Sequence, residues 1–284
     1  MPEITLRDAL KRAIKEALES DPSVFMMGED IGEYGGAYAV TDGLLKKFGP
    51  DRIKDTPISE QAFVGAGIGA AVAGLRPIVE FMSISFSLVA FDQIVNMAAN
   101  LRYMSGGQIS VPMVIRAPTG AGVQLGATHS QSFETWLAEV PGMKVVCPSN
   151  PYDALGLMRS AIKDNNPVFV AEPALLYGEK GEIPDDDYEI EIGKADVTRE
   201  GSDITLVSYG YGMRPTNEAA DKLTERGVSV EVIDLRSLSP FDIDSIVSSV
   251  QKTNRVVLID NARRNGGVMA EVAADLQQCA SEWL

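Results

Sequence analysis

Apolar residues recur along this 284-residue chain in two rhythms. In LRDALKRAIKEALES, Leu6, Ala9, Leu10, Ala13, Ile14, Ala17 and Leu18 fall three and four apart, which predicts a helix with one buried face and acids on the other. Short continuous apolar runs follow in PSVFMMGED, RPIVEFM, VPMVIRAP, MKVVCPS and NPVFVAEP, with helical patterns between them. Runs that are apolar on both faces and separated by helices predict a mainly parallel sheet covered by helices. Beyond residue 193 the alternation resumes: DITLVSYG, a helix over RPTNEAADKLTER closed by Gly227, then SVEVIDLRSLSP, FDIDSIVSSVQKT, RVVLIDNA and a last helix over VMAEVAADLQQCASEWL. That order predicts a second, smaller βαβαβα parallel sheet, so the fold class is α/β.

Between the two halves, EKGEIPDDDYEIEI holds seven acids and one lysine, a net −6 that breaks the apolar rhythm and is expected to be a solvated linker. Overall, 40 acidic against 25 basic side chains leave a net charge of −15, the wrong sign for a nucleic-acid or anionic-membrane surface. The uncharged run of fifteen residues after Glu60 is too short for a bilayer and carries Gly65, Gly67, Gly69 and Gly74, so no membrane span is expected. The acids in the N-terminal stretch argue against a transit peptide. Two cysteines, Cys147 and Cys279, cannot form a disulfide framework, and one histidine, His129, excludes a His-rich metal cluster; a reducing compartment fits.

Four stretches carry candidate chemistry. Gly210-Tyr211-Gly212 follows a predicted strand and precedes Asp234, but Pro215 stands where a dinucleotide fingerprint needs a small residue. No Gly-x-Ser-x-Gly elbow occurs, which excludes that hydrolase class. Glu29 and Asp30, with the glycines of IGEYGGAY, end a predicted strand, where open α/β sheets bind ligands; a solvated loop reads the same way. In TPISEQAFVGAGIGAAVAGLRP, Ser59 is a candidate N-cap and Glu60 falls in the first helical turn. Glu60 is then either a helix-start acid or a catalytic carboxyl, because the small-sided helix behind it is expected to pack closely on other elements and hold the acid in a dry setting that raises its pKa. His129 lies between the glycine-rich APTGAGVQLGAT and a predicted helix start with Ser130 or Ser132 as cap, and is open to a structural or a functional role.

The stretches GEDIGEYGGAY, DTPISEQAFVGAGIGAAVAGLRPIVEFMSISF, LRYMSGG, THSQSFETW, PGMKVVCPSNPYDA and SAIKDNNPV occur in that order, and together they resemble the beta subunits of pyruvate dehydrogenase. More broadly they resemble the thiamine diphosphate-dependent first component of 2-oxoacid dehydrogenase complexes. The resemblance covers nearly the whole chain. It implies a pyrimidine-binding domain over 1–177, the acidic linker over 178–193 and a transketolase-type C-terminal domain over 194–284. Glu60 matches the carboxyl that bonds the aminopyrimidine of thiamine diphosphate and promotes its imino tautomer. Phe86 matches the residue that stacks on that ring, Glu29 and Ile58 match positions lining its pocket, and His129 matches the histidine near the reacting thiazolium. Met113, Ala161, Ile162, Asp164 and Asn166 match a monovalent cation site, with K+ the implied ion.

No Gly-Asp dipeptide occurs, so the resemblance assigns the diphosphate and its Mg2+ to an alpha subunit, in an α2β2 assembly that serves a lipoyl domain and an acyltransferase core. The expected activity is decarboxylation of a 2-oxoacid, pyruvate first, with reductive acylation of lipoyl groups, in the cytoplasm or, for a mature organellar form, the mitochondrial matrix or plastid stroma. An acetoin or branched-chain counterpart and a non-catalytic alpha-binding scaffold are the alternatives. Asp260-Asn261-Ala262-Arg263-Arg264 departs from the family's usual turn, and the family's final segment beyond Leu284 is expected to be missing from the C-terminal sheet.

Overall fold

The computed structural model describes residues 2–120 and 122–284. In chain order the elements are β1 (Glu3–Thr5), α1 (Leu6–Ser20), β2 (Val24–Gly28), α2 (Leu44–Phe48), β3 (Ile53–Asp55), α3 (Glu60–Val72), β4 (Arg76–Glu80), α4 (Leu101–Met104), β5 (Val114–Thr119), α5 (Glu134–Ala138), β6 (Lys144–Val146), α6 (Pro151–Lys163) and β7 (Val168–Pro173). There follow β8 (Lys180–Glu182), β9 (Asp196–Arg199), β10 (Ile204–Ser208), α7 (Met213–Thr224), β11 (Val230–Asp234), β12 (Ser237–Ser239), α8 (Ile243–Thr253), β13 (Val256–Leu258) and α9 (Val268–Cys279). A tight helical stretch over Ile84–Ala90 and a wider one over Gln93–Ala98 join β4 to α4.

Each apolar run of the first half becomes a strand of a seven-stranded sheet, ordered β12-β6-β7-β5-β4-β2-β3 and parallel except for β12. On one face α1 packs against α6. Leu6, Leu10 and Ile14 of α1 are fully buried there, each contributing about 1.5–3 kcal/mol, and Thr5 Oγ1 caps the helix by accepting from Asp8 N at 3.1 Å. On the other face α3 and the 84–98 stretch pack with Phe63, Val79, Phe81 and Ile94, and this core continues into Val207, Ile233, Ile246 and Val272 of the C-terminal half.

The second sheet, ordered β13-β10-β11-β9, is parallel except for the edge strand β9. Here the structure corrects the sequence reading, which took SVEVIDLRSLSP as one strand. The run breaks at Arg236, whose positive φ of 55° redirects the chain, and β12 leaves to pair antiparallel with β6 of the first sheet. The Arg236 guanidinium holds the break by donating to Asp153 at 3.0 Å and to Ala195 O at 3.0 Å.

The acidic segment is also more than a solvated strap. β8 pairs with β1, Ile183 and Ile190 are buried, and Tyr188 stacks on Tyr152 with ring centroids 4.3 Å apart. Asp185, Asp186 and Asp187 face water while the isoleucines turn inward. Gly156 makes room for this, since a Cβ there would stand 2.6 Å from Ile190.

Candidate active site

In the order β5-β4-β2-β3, four neighbouring parallel strands end on one edge, and each delivers one candidate residue. Glu29 directly follows β2, and Thr56 to Glu60 follow β3 and open α3. Phe86 lies in the stretch after β4, and His129 lies in the loop between β5 and α5. A sheet of this kind places its ligand site beyond the carboxyl ends of its strands. Parallel pairing thus gathers residues that are a hundred positions apart in sequence.

Two pairs form there. The carboxyls of Glu29 and Glu60 are both buried, 4% and 6% exposed, and they repel each other. Burial first, then Glu60 and Asp30, push Glu29 up to about 7. At the same strand ends the ring of His129 stands edge-on to Phe86, with centroids 5.2 Å apart and planes at 87°. His129 is exposed, its Nδ1 is 3.0 Å from the Thr128 hydroxyl, and Phe86 is half-buried. Ile58 is 84% exposed at the mouth.

The edge also holds polar atoms with nothing to bind. Among the described residues, Glu29 Oε1 after β2, Thr56 Oγ1 after β3 and Ser85 Oγ after β4 are buried and have no hydrogen-bond partner. Orphaned groups of this kind are costly, and their clustering at one strand edge fits a polar, ring-sized ligand that would bond them. The glycine-rich loop after β2 is tied down beside them, with Gly32 N donating to Asp55 at 2.6 Å and Gly36 N to Asp30 O at 2.9 Å.

Three local expectations differ from the structure. Ser59 occupies the N-cap position of α3, but its hydroxyl makes no capping bond. Neither Ser130 nor Ser132 caps α5, which starts at Glu134; Ser130 Oγ instead accepts from Leu125 N at 2.8 Å within the loop. Only one face of α3 is packed: Gly67 lies against Val79 and Met113, whereas Ala62, Ala66, Gly69 and Ala73 are exposed.

Gly210-Tyr211-Gly212 is filled by the protein itself. Asn261 Nδ2 donates to Tyr209 O at 2.8 Å, and a Cβ on Gly212 would stand 2.3 Å from Ser208 Oγ. Asp234 is fully buried on the Ser149 hydroxyl and the Arg236 amide, so no ribose reaches it. The cation candidates lie where α6 meets β7. Arg76 donates there to Ile162 O and Asp164 O, both at 3.0 Å, Met113 O accepts from Val168 N, Ala161 O lies 3.4 Å from Asp164 N, and the Asp164 carboxylate accepts from Asn166 and Lys144.

Sequence reasoning missed the charges buried inside the strands. Arg116 of β5 donates to Glu172 of β7 at 2.7 Å and to Glu80 of β4, and Tyr177 donates to Glu172 at 2.6 Å. Burial pushes Glu80 up, while burial of Arg116 is more than offset by Glu172 and Glu80, which hold its charge in place. Glu134, fully buried, accepts from Thr119 Oγ1 at 2.7 Å and is pushed up to about 7 chiefly by burial. The available signal was a charge within an apolar run, in VIRAP and VAEP, since such a charge needs a partner. Cys147 is buried with its thiol pushed up, which suits packing and disfavours a thiolate.

Comparison with known proteins agrees with this layout. Residues 2–180 match the family model described as transketolase, pyrimidine binding domain, and residues 193–283 match transketolase, C-terminal domain. The chain is 48% identical over 286 residues to the mitochondrial pyruvate dehydrogenase E1 component subunit beta-1 of Arabidopsis thaliana, covering 99% of this chain and 79% of that protein. It is 48% identical to the E1 subunit beta of Gracilaria tenuistipitata var. liui, covering 97% and 85%, and 46% identical to that of Rhizobium meliloti (strain 1021), covering 100% and 62%. Among solved structures, a split gene transketolase described as an inactive beta4 tetramer superposes with a TM-score of 0.81 at 24% identity, over 97% of this chain and 85% of that one, which supports the fold. With both family models matched in order and identity near one half along almost its whole length, the chain belongs to the pyruvate dehydrogenase E1 beta subunits, a thiamine diphosphate-associated branch of the transketolase-like proteins.

Proposed function

We propose that this chain supplies the pyrimidine side of a thiamine diphosphate site shared with an alpha subunit, in a pyruvate dehydrogenase first component. The observation that carries the reading is the buried Glu29 and Glu60 pair and the Phe86 and His129 pair at the same strand ends, with unpartnered polar atoms. When bound, thiamine diphosphate supplies the electron sink for decarboxylating a 2-oxoacid. Glu60 bonds the ring nitrogen of the aminopyrimidine and shares a proton with it; burial keeps water from competing for that bond. Glu29 keeps a proton near neutrality and lines the pocket with Ile58. Phe86 offers its ring as a stacking face, and exposed His129 orients the incoming acyl acceptor, a lipoyl group.

The diphosphate and its Mg2+ belong to the alpha subunit in this reading. Support for a partner chain comes from apolar side chains left in the open, with Tyr103 88% and Val89 57% exposed. The assembly is α2β2, docked on an acyltransferase core, and the site of action is a reducing compartment: the cytoplasm, or the matrix or stroma as for the relatives named mitochondrial and chloroplastic. The 161–166 turn would hold K+ through the carbonyls of Ala161, Ile162 and Asp164, the last two of which also accept from Arg76. Pyruvate is the substrate.

The test is Glu60→Gln in the chain reconstituted with an alpha subunit. Hydrogen–deuterium exchange at the cofactor's reactive carbon should fall by at least ~100-fold, the usual worth of a positioned proton-transfer group. Wild-type exchange in the variant would sink the assignment of Glu60. Magnesium-dependent binding of thiamine diphosphate that is equally tight without an alpha subunit would sink the shared site.

A further inference from the structure

The loop that carries His129 is fixed at a point far from its own sheet. Within the loop, Gln131 is the hub: its backbone O accepts from Gly120 N at 3.0 Å, and its Nε2 donates to Ala127 O at 2.6 Å, two residues before His129. Gly120 and Ser130 meet so closely that a Cβ on Gly120 would stand 2.7 Å from the Ser130 backbone. The base of the loop is closed in the interior by the Thr119 to Glu134 bond. A side-chain contact reaches across from the C-terminal half. Arg263, after β13, donates from Nη2 to Gln131 Oε1, and its guanidinium lies 5.7 Å from the ring centroid of buried Phe133.

The turn that presents Arg263 is itself anchored. Asp260 accepts from Tyr209 OH at 2.7 Å, from Ala262 N at 2.9 Å and from Met269 N at 3.0 Å. A continuous line of contacts therefore runs from the second sheet through Asp260, Arg263 and Gln131 to the carbonyl beside His129. The planar guanidinium suits both ends of its contact, since it donates in plane to an amide oxygen while its face lies on an aromatic ring.

We infer that Arg263 is a positioning residue: acting through Gln131 and Phe133, it holds the 122–133 loop so that the His129 ring stays edge-on to Phe86. The consequence for acyl transfer rests on the proposed function; the placement of the ring does not. Arg263 touches no reacting atom in this scheme. Its effect is to make the C-terminal half part of the active-site scaffold.

His129 is the single histidine of the chain, so the imidazole carbon-bound proton resonances all report on it. The experiment compares the wild-type 284-residue chain, Arg263→Ala, Arg263→Lys and the control Arg264→Ala by proton NMR, without cofactor or second subunit, and measures proteolysis within the loop. In Arg263→Ala the His129 ring-proton resonance should move toward the value for an unstructured histidine as the Phe86 ring current is lost. Cleavage within 122–133 should rise roughly tenfold, the scale set by one hydrogen bond to a charged group. Arg263→Lys, which still donates, should fall between the two, and Arg264→Ala should match wild type, with a cooperative urea transition retained throughout. An unshifted resonance in Arg263→Ala, or equal shifts in Arg263→Ala and Arg264→Ala, overturns the inference. In the reconstituted enzyme, Arg263→Ala should slow acyl transfer with cofactor affinity unchanged; loss of that effect with the NMR shift intact would count against the role of His129 and leave the positioning in place.

Discussion

The fold raises the pKa of Glu29, and that makes Glu29→Gln a test of stability as well as of function. Its ordinary value is 4.5, and burial with the Glu60 and Asp30 charges raises it to about 7. At ~1.4 kcal/mol per pH unit, that interval sets a ceiling of ~3 kcal/mol on the cost of ionising Glu29 in the folded chain. Water at the mouth of the site screens part of the repulsion, so ~1–2 kcal/mol is expected. The sign follows from proton linkage. Between 4.5 and about 7 the folded chain holds a proton that the unfolded chain has lost, so stability falls as pH rises through this window and the full cost is present above it. The amide keeps the shape and cannot ionise. Glu29→Gln should therefore unfold at higher urea than wild type at pH 8, by ~1–2 kcal/mol, and at nearly the same urea at pH 5. A variant equally or less stable at both pH values would refute the reasoning. The same substitution should lower activity of the reconstituted enzyme, because the strained carboxyl is retained at the site.

Two further outcomes follow from the geometry. His129→Ala should leave cofactor affinity near wild type and slow lipoyl acylation by ~100-fold; a collapse of affinity that acylation merely follows would assign the ring to cofactor binding instead. If the 161–166 turn holds a cation, exchanging Na+ for K+ should raise the melting temperature of the chain by about 2–4 °C, the effect of ~1 kcal/mol on a chain of this size, and identical melting in the two salts would remove the site.

The fold was largely legible because its strands are buried on both faces and its helices carry clear stripes. VFMMG, RPIVE, VIRAPT and VFVAEP each became a strand, and α1 buries nearly the face that its spacing predicts. What the pattern hid was direction. Ser237–Ser239 looks like the continuation of β11, and only the left-handed turn at Arg236 sends it to the other sheet. Seven acids concealed two inward-facing isoleucines in the linker, because net charge says nothing about which residues alternate toward a neighbouring helix. For the candidate site, Glu29, Glu60, Phe86 and His129 were each named from sequence and the resemblance, and the structure places them at neighbouring strand ends. Arg263 and Glu134 were missed, since their importance depends on contacts between residues 119 and 263 that no local pattern encodes.

The uncharged run after Glu60 shows how far such reading reaches and what completes it. A helix without a charge for fifteen residues promises burial all round, yet in this chain α3 meets the sheet with one face only. Gly67 lets it approach Val79 and Met113, and Phe63, Val64, Ile68 and Ala71 are buried beside it. Its other face, Ala62, Ala66, Gly69 and Ala73, is small, apolar and exposed, the surface a second helix can approach closely. Glu60 begins this same helix and is only 6% exposed before anything covers that face. Covering it would remove the remaining water from the first turn and strengthen each charge and proton bond there. The dry segment thus links assembly to chemistry: the contact that would bury its bare face would also tighten the environment of the carboxyl at its mouth.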